Sequence, residues 1–257
     1  MLIKSKTNEK IKELRELTKR SQVRKEKGLF VCDGLRLCVD AMSSNSEIVS
    51  VFYTNSFKQN HNDVALDLIA CAQSSYEIDD SLMKYVSDTV SPQGVICVVK
   101  MRSESITPEK GQKYIALDDI QNPDNLGSVM RTAEALGICG LIIQGGCDIY
   151  NPKVVRASMG AVFRLPTIRT QNLSEYLRDS ESRGICSYAC VPDKGAKSIS
   201  TVDFTKGGIC VIGNEANGIS AEVIKACKEK ITIVMKGRAE SLNAAAAASI
   251  IMWEMTK

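Results

Sequence analysis

The chain has 257 residues, 44% of them apolar and 25% charged, with a net charge of only +3. That balance excludes a disordered or fibrous protein and allows one large domain or two ordinary ones with buried cores. A run of about 18 apolar residues, the minimum for a spanning helix, does not occur, and the opening MLIKSKTNEK lacks the apolar segment of a secretion signal, so a cytoplasmic protein away from membranes is expected.

The first hundred residues alternate helical and extended patterns. A basic helix is expected near 8–20, "GLRLCVDAM" as a helix, "IVSVFYT" as a strand, "VALDLIACAQ" as a helix, "SLMKYVS" as a short helix and "GVICVVKM" as a strand. Together they form a small α/β domain over 1–101. Residues 102–113, "RSESITPEKGQK", are polar, contain Pro and Gly and lack an apolar period, which marks a linker. From 114 to 257 the alternation resumes: strands "YIALDDI", "ICGLIIQ", "ICSYACV", "GGICVIG" and "KITIVM" are interleaved with helices "LGSVMRTAEALG", "PKVVRASMGAV", "LSEYLRDSESRG", "SAEVIKAC" and a closing alanine helix. Strands rich in Val and Ile that alternate with helices imply a mostly parallel sheet covered on both faces.

Charge is distributed unevenly. Residues 1–27 carry ten Lys or Arg against four Glu, and the remainder 23 against 26. A solvated helix face explains such a run, which also suits a polyphosphate partner such as nucleic acid. The ten cysteines are scattered singly through apolar runs such as "GVICVV" and read as reduced core thiols. Cys186 and Cys190 lack the two-residue gap of a zinc knuckle, and the lone histidine, His61, sits in polar "KQNHND". Neither a metal nor histidine acid–base chemistry is expected.

Ligands of parallel α/β sheets bind beyond the carboxyl ends of strands, which directs attention to three loops. In "DDIQNPDNLGSVMRTAEALG", Asn125 is a candidate helix cap, and Arg131 fits a structural ion pair or a phosphate contact equally well. In "VIGNEANGIS", two glycines bracket Asn214, Glu215 and Asn217 and let the backbone approach a ligand, although a tight turn would need nothing more. In the third, Ser241 can cap a helix whose five alanines leave almost no side-chain bulk, so that other backbone can crowd every face. No GxGxxG is present, which excludes the dinucleotide fingerprint.

Taken in order, "NLGSVMRTAEALG", "VIGNEANGIS" and "ITIVMKGRAESLNAAAAASI" resemble the three signature motifs of the SpoU (TrmH-like) branch of the SPOUT RNA methyltransferases. "NPKVVRASMGAVFRLP" and "SPQGVICVV" extend the likeness over most of residues 23–257. The resemblance implies a carboxy-terminal α/β domain with a deep trefoil knot and a small amino-terminal α/β domain that binds RNA. It implies S-adenosylmethionine as cofactor and methyl transfer to a ribose 2′-hydroxyl, in 23S ribosomal RNA ahead of transfer RNA. A non-catalytic RNA-binding or ribosome-assembly protein on the same fold is the alternative.

Carried over by position, the cofactor contacts fall on Gly213, Asn214, Ile233, Met235 and Leu242. Arg131 would contact the RNA phosphate, Asn125 would hold that arginine's loop or the ribose, Glu215 would order the second loop, and Ser241 and Asn243 would complete the site. The resemblance further implies a homodimer in which the first motif faces the partner's cofactor. Where the family commonly has a proline after the isoleucine of the third motif, this chain has Val234.

Overall fold

The computed structural model describes residues 2–103, 105–193 and 195–257; Met1, Glu104 of the expected linker, and Lys194 lie outside the described residues. The chain divides into two compact units, Met1–Ser103 with Asp148–Arg164, and Glu104–Cys147 with Leu165–Lys257.

The first unit holds β1 (Leu2–Ile3), α1 (Glu9–Lys19), α2 (Ser21–Lys27), β2 (Leu29–Asp33), α3 (Leu35–Ser43), β3 (Ile48–Tyr53), α4 (Asn55–Asn60), α5 (Asn62–Cys71), β4 (Ser74–Ile78), α6 (Asp80–Val86) and β5 (Val95–Lys100). Its sheet runs β1-β4-β3-β5-β2, with β5 antiparallel to both neighbours and the other pairs parallel. Helix α1 starts where the Asn8 side chain accepts the N–H of Lys10, and it buries Ile11, Leu14, Leu17 and Thr18 on one face. That stripe packs with Val31, Phe52, Ile78, Leu82 and Ile96 in a single core, which turns the lysines outward.

Much of the amino-terminal charge is neutralised within the unit. Lys10 and Lys27 reach Glu13, Arg20 pairs with Glu16, Lys19 with Asp88, and Arg24 is buried against Asp148.

The second unit holds β6 (Lys113–Asp118), α7 (Pro123–Ala135) and β7 (Gly140–Gln144). After α8 (Pro152–Ala157) come β8 (Thr167–Thr170), α9 (Leu173–Ser182), β9 (Ser187–Cys190), β10 (Lys197–Ser198), β11 (Gly208–Gly213), α10 (Ala221–Ala226), β12 (Glu229–Thr232) and α11 (Ala244–Thr256). Seven strands run β10-β12-β9-β11-β6-β7-β8, with every pairing parallel. Residues 115–117 of β6 and 209–212 of β11 are buried throughout, as strands covered on both faces require. This is the α/β class and parallel sheet that the sequence predicts.

Asp148–Arg164, which includes α8, interrupts the second unit between β7 and β8 and belongs to the first. The Phe30 ring of β2 lies 4.6 Å from Tyr150 and 6.0 Å from Phe163. The expected boundary at 114 did not foresee this return of the chain.

The alanine helix differs from expectation. Within this chain only Ala244 and Ala248 of the five are buried, and Ala246 is exposed, so it is not crowded on every face. All ten cysteines are free thiols, and among the described residues no helix is long and apolar enough to cross a membrane.

Candidate active site

The three loops singled out in the sequence meet within the second unit. Strand β11 ends at Gly213, where a Cβ would collide with the backbone of Gly218 and Ile219. The loop folds back on itself through paired bonds, Asn214 N–H to Gly218 O at 3.0 Å and Gly218 N–H to Asn214 O at 2.9 Å. The side chain of Asn214 is engaged at both ends: its Oδ1 accepts from Ala216 and Asn217, and its Nδ2 donates to Asp119 O at 2.8 Å. Its side chain therefore organises the loop.

Glu215 fastens the second loop to the first. Its Oε1 accepts from the Asn125 amide at 2.8 Å and from Asn122 N–H at 3.3 Å, and its Oε2 accepts from Gln121 N–H at 3.3 Å. Partial burial works to raise the carboxyl's pKa, but the Asn125 amide and these backbone donors outweigh it and hold the value below the usual carboxylate range. Asn125 in turn accepts from the Asn243 amide at 3.0 Å. One chain of hydrogen bonds thus runs from the third motif through the first to the second.

Two expected caps are corrected. Helix α7 is capped by Asn122, not Asn125, which lies buried in the first turn and is free to join this chain of bonds. Helix α11 is capped by Asn243, whose Oδ1 accepts from Ala245 and Ala246, not by Ser241.

A cavity of about 410 Å³ opens at the carboxyl ends of β9, β11 and β12. Gly213, Asn214, Glu215, Ile233, Met235, Ser241 and Leu242 all line it, with apolar walls from residues such as Ile219, Ile231 and Ile251. Its size lies within the range of small-molecule sites, and its few polar groups amid apolar walls suit a ligand with one flat apolar part and a polar tail. A nucleoside cofactor fits that description.

Arg131 is not part of this cavity. It is exposed on α7 and lines a separate hollow of about 440 Å³ with Ala135, Leu136, Ile250 and Trp253. Sequence reasoning also missed the aspartates that brace the site. Asp118 accepts the N–H of Ser220 at 2.8 Å, and Asp119 accepts the N–H of Gly146 at 2.8 Å. Two adjacent carboxylates at the end of an apolar strand were the available signal. The contribution of Cys190, Val191 and Pro192 after β9 was missed as well.

A parallel sheet with a nucleoside-sized cavity at its carboxyl edge, closed by three bonded loops, defines a cofactor-using α/β enzyme. The chain belongs to the SpoU rRNA Methylase family, whose model matches residues 112–253, and it is therefore an RNA methyltransferase. A second model, the MRM3-like substrate binding domain, matches residues 8–97.

Among relatives, the 23S rRNA (guanosine(2553)-2'-O)-methyltransferase RlmP of Bacillus subtilis is 26% identical over 98% of each chain. The AdoMet-bound rRNA methyltransferase from Sinorhizobium meliloti superposes with a TM-score of 0.88 at 30% identity, covering 99% of this chain and 97% of that one. The SpoU methyltransferase AviRb from Streptomyces viridochromogenes, in complex with AdoMet, gives 0.87 at 28% identity over 97% of each chain.

Proposed function

We propose that this protein transfers a methyl group from S-adenosylmethionine to a ribose 2′-hydroxyl of 23S ribosomal RNA. The observation that carries this reading is the Asn243–Asn125–Glu215 chain of hydrogen bonds fastened beside a nucleoside-sized cavity. When bound, the cofactor supplies an electrophilic methyl on a sulfonium that is itself a good leaving group. The chain's own task is to align donor and acceptor and to handle one proton of low acidity.

The backbone at Gly213, Ile233 and Leu242 would hold the donor, with Asn214 shaping its loop and Met235 adding to the wall. Glu215, held as an anion, keeps the first and second loops in register; it serves as an anchor and not as a base. Asn125 and Asn243 carry that order to the third loop, and Ser241 lines the cavity where the acceptor ribose would enter. A guanidinium carries donors and no acceptor, so Arg131 would grip the RNA phosphate and stabilise charge there.

Because Arg131 lies outside its own chain's cavity, we place it in the site of a second copy. The exposed Trp253 (62%) and Ile250 (41%) on α11 supply an apolar face next to it, which suits a twofold interface. In this reading the carboxy-terminal segment is threaded as a trefoil knot, and the first unit binds the RNA.

Ribose methylations mapped across total RNA, with and without the gene, test the assignment. One 2′-O-methyl position in 23S rRNA should disappear. Label from the donor found on a base nitrogen or carbon would overturn it.

A further inference from the structure

The sheet of the first unit has a carboxyl edge of its own, where β1, β2, β3 and β4 all end. A cavity of about 280 Å³ sits there between α4, α6 and the segment Pro92–Gly94 that enters β5. Phe57 is buried in its wall, and its ring lies 5.2 Å from that of the exposed His61. Gln93 accepts the N–H of Leu35 through its Oε1 at 2.8 Å, which turns its amide nitrogen, a donor, away from that backbone. Asp80 accepts a hydroxyl hydrogen bond from Ser56 at 3.3 Å and has further acceptor capacity, and Lys84 stands exposed on the lining. Gly94 has φ +84°, and a Cβ there would stand 2.6 Å from Thr54 Oγ1, so the path of the chain into β5 is one that glycine permits.

Elsewhere on the same unit, the Tyr85 ring carries the Arg15 guanidinium at 3.7 Å and the Lys6 ammonium at 4.8 Å. Val90, in the loop between α6 and β5, is 99% exposed. Cations over an aromatic ring, and an apolar side chain that no core uses, suit a surface that meets bases and phosphates.

We propose that this cavity receives one unstacked nucleobase of the RNA, stacked on His61, with its amino group on Asp80, a carbonyl on the Gln93 amide and its phosphate on Lys84. An amino group together with a carbonyl selects guanine or cytosine over adenine or uracil. The proposal rests on RNA being the substrate and adds where, and by which base, it is read.

The test is to titrate the four nucleoside 5′-monophosphates separately into the full-length 15N-labelled protein and follow the amide signals of Asn60, His61, Lys84 and Gln93. Guanosine or cytidine monophosphate should shift these signals saturably. His61→Ala and Lys84→Ala should each weaken that binding about tenfold without lowering the melting temperature, since both side chains are exposed. On 23S rRNA, Lys84→Ala should raise KM about tenfold at unaltered kcat, because a contact that does not touch the reacting atoms is made equally in ground and transition states.

Absence of shifts with all four nucleotides, or equal shifts with the adenosine and uridine forms, overturns the proposal. If wild-type protein leaves 23S rRNA unmethylated while guanosine or cytidine monophosphate still binds, the proposed reaction falls and the base site stands.

Discussion

Replacing Arg24 with methionine should destabilise the first unit severely. The side chain is 2% exposed, and its Nε and Nη2 donate to Asp148 Oδ2 at 2.9 and 2.6 Å. Its Nη1 donates to the carbonyls of Leu17 at 2.8 Å and Thr18 at 3.4 Å, and the Ser21 hydroxyl reaches the same Asp148 oxygen at 3.0 Å. Removing the guanidinium strands a carboxylate that is only 11% exposed. Breaking a buried pair from one side costs about 3–5 kcal/mol, which lowers the melting temperature of a unit this size by on the order of 10–20 °C. Replacing both partners with apolar side chains is close to neutral by comparison.

Thermal and urea unfolding of Arg24→Met, Asp148→Leu and the double variant, followed by circular dichroism, therefore form a cycle. The double variant should recover about 2 kcal/mol or more relative to the sum of the singles. If the two losses simply add, the ion pair does not hold the returning segment and the reasoning is wrong.

Arg131→Ala should lower kcat about 100-fold while calorimetry finds S-adenosylmethionine affinity unchanged; an equal loss of affinity would place Arg131 at the donor instead. If the proposed twofold pairing holds, Trp253→Glu should sediment as a monomer where the unaltered protein sediments as a dimer, and activity should go with it. Mixing inactive Arg131→Ala with inactive Gly213→Val should restore roughly a quarter of wild-type activity, because under the proposed pairing a mixed dimer would have one intact shared site; no rescue argues for sites complete within one chain. For Glu215, a pKa lowered in the folded state means that its ordering of the loops is complete above the ordinary glutamate range near 4.3 and is lost as pH falls through the lower folded value. Donor affinity should thus be flat in this group from about pH 8 to 5; a transition above pH 6 that vanishes in Glu215→Gln would show the carboxyl raised instead.

Periodicity recovered the elements whose pattern is local. Helix α1 runs from Glu9 to Lys19 inside the expected 8–20 because Asn8 and its apolar stripe fix it without help from distant residues. Strand β2, "LFVCD", went unassigned because a five-residue apolar run behind a basic helix has no period of its own. Strand β4, "SSYEI", reads as polar, and its place comes from pairing with β1 and β3.

In the site, the loops were legible because strand ends and turn residues mark them. The caps were misplaced by two or three residues because Asn, Asp and Ser cluster at both helix starts and only the folded backbone chooses among them. The separation of Arg131 from the other site residues is tertiary, and no local pattern encodes it.

The excursion of Asp148–Arg164 has a practical corollary for anyone dissecting this enzyme. A gene fragment ending near residue 103 would encode an unfinished module, lacking the aromatic rings that cover Phe30 and the carboxylate that answers Arg24. Proteolysis near residue 103 would likewise leave the first unit shared between two pieces, because Asp148–Arg164 stays on the carboxy-terminal one. The two halves can be cut apart on paper but not by a single nick.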